Sequence, residues 1–237
     1  MNVLAVDIGG THVKFRTQRH AEVVKIDSGP KMTPQKMMKA LKSLTNGWNF
    51  DHVSLGYPGP VVHDIPLREP HNLGKGWKGF RFDRAFGKPV HVINDAAMQA
   101  LGSYRGGRML FLGLGTGLGS AMVVDGVVQA MELAHLPWKK DKTYEDYLGA
   151  AAYEQDGRKT WTKHVHEVIH DLQAAMECGY IVLGGGNAKQ LRTLPKNVIL
   201  GSNDNAFKGG FLLWEKAETL AAIGVPLKTR AGRHRKA

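Results

Sequence analysis

The chain has 237 residues, 43% of them hydrophobic, which is enough for one large domain or two small ones with a real core. A formal net charge of +11 favours polyanionic partners such as nucleic acid, an anionic membrane or phosphate compounds, although a lysine-rich solvated surface explains the same figure. Cys178 is the only cysteine, which excludes a disulfide framework and a cysteine-based zinc site, and no apolar stretch approaches the roughly 20 residues of a membrane span.

The opening MNVLAVDIGG carries no basic region ahead of an apolar run and no cleavage site, so a cytoplasmic protein is expected. Asn2–Val6 reads as a short apolar strand ending in a turn at Asp7–Thr11, with His12–Arg16 and Glu22–Ile26 as the next strands of a meander. Thr33-Pro34 opens a helix, Thr as N-cap and Pro at the first helical position, and Met37, Met38, Leu41 and Leu44 mark one face of it. Val53–Tyr57 is a strand running into Pro58-Gly59-Pro60. Residues 61–88 read as irregular, broken by Pro66, Pro70, Gly74, Gly76 and Gly79.

Val90–Ile93 is a buried strand and Ala96–Tyr104 a short helix. Met109–Leu112 and Ala121–Val124 are strands around the glycine run Gly113–Gly119, and Asp125-Gly126 is a hairpin turn signal. Residues 143–177 read as two helices. Ile181–Leu183 is a strand entering Gly184–Gly186, followed by a helix, the strand Val198–Leu200 and a last helix near Ala206–Glu218. The tail from Lys228 to Ala237 is basic and expected to be loose. Strands mix with helices throughout, which predicts an α/β class. The stretches 2–26 and 109–124 each begin with a strand and a glycine turn, suggesting two related halves, 1–92 and 93–237.

Several motifs carry chemistry. In Asp7-Ile8-Gly9-Gly10-Thr11 the glycines let backbone N–H groups approach an anion and Thr11 adds a hydroxyl. Asp7 could hold a magnesium ion through water and Lys14 could reach a phosphate, yet a plain strand-to-hairpin turn explains the motif equally well. Gly113–Ser120 places glycines at 113, 115, 117 and 119 around Thr116. It matches neither GxGxxG nor a Walker loop, and a bulged hairpin is the structural alternative. Asn94-Asp95 follows a buried strand, where a carboxylate faces a cleft and could serve as general base, or where either residue could simply cap the next helix. Glu132 and His135, three apart, could bridge neighbouring hydroxyls of a polyol or form a surface pair. Gly184-Gly185-Gly186-Asn187 stands where a strand is expected to become a helix and would permit close approach of a nucleotide.

His166-Glu167-Val168-Ile169-His170 matches the HExxH zinc pattern. The apolar face of this helix is Trp161, Val165, Val168, Ile169, Leu172 and Met176, so both histidines fall off it toward solvent, and Gln173 and Met176 fill positions the extended motif needs. A solvated amphipathic helix is the expected reading.

Taken in order, DIGGT, GYPGP, NDA, LGTGLGS followed by DG, ELAH and GGGN resemble the sugar kinases of the ROK (repressor, open reading frame, kinase) family over nearly the whole chain. The resemblance implies a two-lobed actin-like ATPase (ribonuclease H-like) fold with its active-site cleft between the lobes. The short length and missing cysteine motif look closest to the polyphosphate/ATP glucokinase branch, which implies no structural zinc. By matching motif, Gly9, Gly10 and Thr11 resemble the first phosphate loop, Gly115, Thr116 and Gly117 the second, and Gly184, Gly185 and Gly186 the adenosine loop. Asp95 matches the catalytic base, with Asn94 beside it on the sugar. Glu132 and His135 match the sugar-binding glutamate and histidine, Glu145 stands where a further sugar-binding glutamate falls, and Asn72 in HNLGKGW is expected to touch the sugar from the opposite lobe.

The implied reaction is phosphoryl transfer from polyphosphate or ATP, with Mg2+, to the 6-OH of glucose. The alternatives are an ATP-dependent kinase for mannose, fructose or an N-acetylhexosamine, and a non-catalytic sugar sensor. A homodimer is expected, without a membrane or nucleic-acid partner. Ala134 replaces the usual glycine of ELGH, and its methyl group could reshape the sugar pocket or have no effect. No helix-turn-helix precedes the first strand, which disfavours the repressor branch. The charge and basic tail suit a long polyanion such as polyphosphate.

Overall fold

A computed structural model describes residues 1–215; the tail Lys228–Ala237 and the end of the helix expected to reach Glu218 lie outside them. The first strand, β1 (Val3–Ile8), is apolar except for Asp7, the pattern of a strand buried on both faces, and it takes the centre of a five-stranded sheet. It pairs antiparallel with β2 (His12–Thr17), which pairs with β3 (Val24–Asp27). Helix α1 (Pro34–Leu44) begins where its cap residue directs: the Thr33 hydroxyl accepts from the Lys36 amide. Met37, Met38 and Leu41 enter the core, while Leu44 at the helix end is exposed.

Strand β4 (His52–Tyr57) runs parallel to β1. The stretch read as irregular holds a small hairpin of β5 (Val61–Val62) and β6 (Ile65–Pro66), then the short helix α2 (Phe82–Phe86). These pieces are too short to show a period. The Glu69 carboxylate ties their connection together by accepting from the amides of Gly76 and Trp77 at 3.1 and 3.0 Å. Strand β7 (Val90–Asn94) then adds parallel to β4, giving the order β3-β2-β1-β4-β7. Helix α3 (Asp95–Ser103) follows without a loop.

The second sheet repeats that plan. Strands β8 (Arg108–Leu114), β9 (Leu118–Val124) and β10 (Val127–Met131) form an antiparallel meander. Helices α4 (Tyr144–Leu148) and α5 (Ala150–Met176) come next, with the latter broken at Gly157 (φ 73°), so the region read as two helices holds three helical runs. Strands β11 (Tyr180–Gly184) and β12 (Val198–Leu200) extend the sheet in parallel, in the order β10-β9-β8-β11-β12. A three-strand meander followed by two parallel strands thus occurs twice. The helix expected after the triple glycine is a five-residue 3-10 turn, Gly186–Gln190.

Helix α6 (Asn205–Leu212) returns from the second sheet to pack on α3, β1 and β4. Its glycines let it lie backbone to backbone on α3: a methyl group on Gly209 would strike the Met98 carbonyl, and one on Gly102 the Asn205 carbonyl. Polar bonds fix the crossing. Asn205 donates to Ser103 Oγ at 2.8 Å, Ser54 Oγ to the Gly210 carbonyl at 2.6 Å, and Trp214 Nε1 to Ser54 Oγ at 2.9 Å. Separate apolar cores fill the space around each sheet, one centred on Phe15, Leu55 and Trp77 and the other on Leu112, Trp161 and Ile169. Among the described residues no helix is long and apolar enough to cross a membrane.

Candidate active site

The carboxyl ends of β1 and β7, the β8–β9 turn and the end of β11 open onto one cleft of about 960 Å³, at the upper end of the range for small-molecule sites. Its lining includes Asp7, Gly9, Gly10, Thr11, Lys14, Asn72, Asn94, Asp95, Gly115, Thr116, Gly117, Glu132, His135, Glu145, Gly185 and Gly186. Every site residue predicted from sequence is therefore brought together, with one exception. Gly184 is buried inside β11, where a methyl group would strike the Phe111 ring, so it is a packing glycine and does not line the cleft.

Asp7 lies within β1, not in the turn, because the strand continues to Ile8. Its register partner across the sheet is Lys14, which places both charges side by side on one face. Burial raises the Asp7 carboxyl above its usual range, and Lys14 opposes the rise. The turn itself is Gly9-Gly10-Thr11. It is closed by the Gly9 amide on the His12 carbonyl at 3.0 Å and held by Ser28, just after β3, whose hydroxyl donates to the Gly9 carbonyl at 2.6 Å. The amides of Gly10 and Thr11 make no hydrogen bond among the described residues, which leaves donors for an anion. Asn72 packs directly on Gly10: a methyl there would lie 3.0 Å from the Asn72 Cβ.

The cap and the candidate base turn out to be different residues. Asn94 caps α3, its Oδ1 accepting from the Ala97 amide at 3.0 Å, and its amide group donates to the Gly59 carbonyl at 3.4 Å. Asp95, the first helical residue, is half-buried, and one carboxyl oxygen accepts from the Ala96 amide at 2.8 Å. Its other oxygen is free of protein bonds among the described residues. Burial first, then the neighbouring charges of Asp7 and Glu132, push the Asp95 pKa up to about 7. A carboxyl poised there can give or take a proton near neutral pH.

The second glycine loop is braced on all sides. Gly115 donates to the Gly117 carbonyl at 3.1 Å, Ala150 to the Thr116 carbonyl at 3.2 Å, and Leu118 to Glu145 Oε2 at 2.9 Å. The Glu145 carboxylate fills the space a side chain on Gly117 would need. From the other side Asn187 donates to the Gly115 carbonyl at 3.4 Å, and Gly185 (φ 80°) lies against the Leu114 backbone, where only glycine fits.

Glu132 and His135 stand at the two ends of a 3-10 turn, Leu133–His135, both exposed to the cleft. The buried Ser120 hydroxyl sets this turn: it donates to the Met131 carbonyl at 3.0 Å and accepts from the Leu133 amide at 3.1 Å, bracketing Glu132. Ala134 is buried in the core with Leu133 and Leu148 and does not line the cleft, so its methyl group leaves the pocket lining unchanged.

Sequence reasoning passed over Ser120 and Asn187, although both end motifs that it quoted. It also missed Ser28, Arg68, Glu69 and His71, of which the last three line the cleft from the stretch that carried no period. In the HExxH match, His166 is half-buried and lies 3.2 Å from the Thr193 carbonyl, Glu167 pairs with Lys139, and His170 is exposed. Among the described residues no group of His, Cys, Asp or Glu is arranged to hold a metal on its own.

Residues 3–133 match the model of the ROK family, more than half of the chain, and the chain belongs to that family. The polyphosphate glucokinase of Mycobacterium tuberculosis is 24% identical over 206 residues, spanning 78% of this chain and 77% of the relative. The crystal structure of the inorganic polyphosphate/ATP-glucomannokinase from Arthrobacter sp. strain KM superposes with a TM-score of 0.76 at 22% identity, covering 94% of this chain and 98% of the other. A ROK family glucokinase from Streptomyces griseus, solved with glucose and AMPPNP, superposes with a TM-score of 0.70 at 17% identity, covering 94% and 100%. The two-sheet architecture is that of the actin-like ATPase fold.

Proposed function

We propose that this ROK-family chain is a sugar kinase that transfers a phosphoryl group from polyphosphate or ATP to the 6-OH of glucose. The observation that carries this reading is Asp95: a carboxyl near pKa 7, with one oxygen free of bonds among the described residues, lining the cleft that both glycine loops share. In this reading the sugar binds to Glu132, His135 and Glu145, with Asn72 and Asn94 beside them. Asp95 accepts the proton of the attacking hydroxyl. Lys14, Thr11 and the amides of both loops hold the donor phosphates and offset the charge that develops on them.

Magnesium fits this site as an ion bound mainly by donor phosphates. Asp7 is the carboxylate that would hold it, through water, since this cation keeps several of its own waters. It would supply charge neutralisation at the transferring group.

Two observations bear on the donor. Phe111 is the only phenyl, phenol or indole ring among the described lining residues, and a short 3-10 turn follows the glycine run, so this end offers little for a purine to stack on. That favours polyphosphate. Lys14 and Arg68 are the only lysine or arginine among the described lining residues, against five carboxylates, so a long polyanion would depend on magnesium within the cleft. The test is glucose-dependent donor consumption with ATP and with polyphosphate at rising salt. Turnover with both, and salt weakening confined to polyphosphate, is the expected result. Absence of glucose-dependent consumption with either donor would leave a sugar sensor as the better reading. A panel of mannose, fructose and N-acetylhexosamines decides the acceptor.

A further inference from the structure

The proposed sugar-binding residues flank the segment 136–143: Glu132 and His135 precede it and Glu145 follows it. That segment is a tight hairpin. Pro137 bridges Thr143, Trp138 donates to the Lys142 carbonyl at 2.7 Å, Lys142 donates to the Lys139 carbonyl at 3.0 Å, and Tyr144 donates to the Leu136 carbonyl at 3.0 Å. Its tip is held in an unfavourable conformation, with Lys140 and Asp141 at φ 51° and 56° although neither is glycine. Such a tip persists only where its surroundings over-determine it.

Trp138 supplies that constraint. Its half-buried indole meets three rings of the helical layer: Tyr144 at 5.9 Å, Tyr147 at 4.9 Å and 89°, and His164 of α5 at 5.7 Å and 87°. Tyr147 and His164 also meet edge to face, at 4.9 Å and 83°, so three rings close a mutually perpendicular cluster. Lys139 lays its ammonium over the indole at 4.0 Å and reaches Glu167, the acid of the HExxH match, at 2.7 Å. The Tyr147 hydroxyl donates to the Lys139 carbonyl at 3.1 Å.

We propose that Trp138 is a positioning residue for sugar recognition, stapling the 136–143 hairpin onto α4 and α5 and so fixing Glu132 and His135 relative to Glu145. The inference rests on the reading of those three residues as sugar ligands. The donor loops have supports of their own. The first is held by Ser28 and His12. The second is held by Ala150 and by α4, whose carboxyl end is tied down by Trp161 Nε1 on the Leu148 carbonyl at 3.0 Å. Ser120 anchors the Glu132 end of the 3-10 turn, so loss of the staple moves its His135 end, which adjoins the hairpin, more than it moves either phosphate loop.

The experiment compares the full-length protein with Trp138→Ala and Trp138→Phe, measuring KM for glucose and for ATP or polyphosphate alongside thermal melting. Trp138→Ala is expected to raise the glucose KM roughly tenfold to a hundredfold while the donor KM stays within about twofold, with Trp138→Phe restoring most of the loss. A folded Trp138→Ala with unchanged glucose KM, or with both KM values raised in parallel, overturns the proposal. Should Trp138→Ala fail to fold, Tyr147→Phe removes only the bond to the Lys139 carbonyl. It must then show the same split on a smaller scale, and equal KM changes for both substrates overturn the idea there too. Glu132→Gln and Glu145→Gln are run in parallel. Unchanged glucose KM in both refutes the sugar-site assignment itself, whereas a rise in them with none in Trp138→Ala refutes the staple alone.

Discussion

Gly117 and Glu145 exclude one another's side chains: a methyl group on Gly117 would overlap the Glu145 carboxylate, whose Oε2 accepts from the Leu118 amide at 2.9 Å. The loop proposed to face the donor and the acid proposed to hold the sugar are therefore one interlocked unit. Gly117→Ala should force Glu145 out of the loop and strip the Leu118 amide of its acceptor. The expected loss in kcat/KM is roughly a hundredfold, with KM rising for both substrates. The double variant Gly117→Ala/Glu145→Ala should be no worse than Glu145→Ala alone, because the clash is gone. A double-mutant cycle measures that coupling, and additive losses would contradict it.

As the proposed base, Asp95 should set the pH dependence of turnover. With a pKa of about 7, its ionised, proton-accepting form is the minority below neutrality. The kcat/KM profile should show an acid limb centred near pH 7, falling about tenfold per pH unit below it. Glu132→Gln removes one of the charges that hold the Asp95 pKa up, so it should move that limb to lower pH. Asp95→Asn should cut turnover by roughly 10²–10⁴-fold with little change in the glucose KM. Near-normal turnover in Asp95→Asn would remove it from the role of base.

The same carboxyl costs stability. Its folded pKa lies above the ordinary aspartate value, so ionisation is harder in the folded chain than in the unfolded one. The cost is absent below about pH 4, where both states are protonated, grows between pH 4 and 7, and is complete above pH 7. Asp95→Asn keeps the acceptor for the Ala96 amide and removes the charge. It should therefore be more stable than the parent at pH 8, by an amount on the order of 1–4 kcal/mol, and so melt higher, with the advantage shrinking toward pH 5. Melting curves at both pH values check the sign.

The sequence made much of this legible because chemistry and local structure coincide in its motifs. Asp7, the Gly115–Gly117 loop and Asn94-Asp95 each sit at a strand end, and apolar runs such as Val3–Ile8 and Met109–Leu112 reveal strands without tertiary context. The ambiguity over Asn94-Asp95 resolved because two adjacent residues divide two jobs, cap and candidate base, which no propensity separates. What stayed hidden depends on contacts between distant segments. Gly184 looks like its neighbours in the triple glycine until Phe111 is placed against it, and Ala134 looks like a pocket residue until the core of Leu118 and Leu148 closes over it. The helix expected after Gly186 is a 3-10 turn of only five residues before Leu191 turns into the core. Ser120 escaped notice because its function is to hold two backbone groups on either side of Glu132, a role that leaves no mark on spacing.

Metal removal separates the catalytic ion from any structural one. Asp7 is the carboxylate proposed to hold magnesium, and among the described residues no group of His, Cys, Asp or Glu is arranged to hold a metal without the donor. EDTA should abolish turnover, with full recovery on adding magnesium, because the ion is held largely by the donor phosphates. The melting temperature without donor should not move under EDTA, since an ion absent from the resting protein contributes nothing to its folding equilibrium. A drop in melting temperature would reveal a structural ion, and the His166–His170 helix would be the first place to look for it. Asp7→Asn should raise the magnesium concentration needed for half-maximal turnover, roughly tenfold or more, while the glucose KM stays near its parent value. That split assigns Asp7 to the donor side of the cleft, opposite in function to Glu132 although both charges act on Asp95.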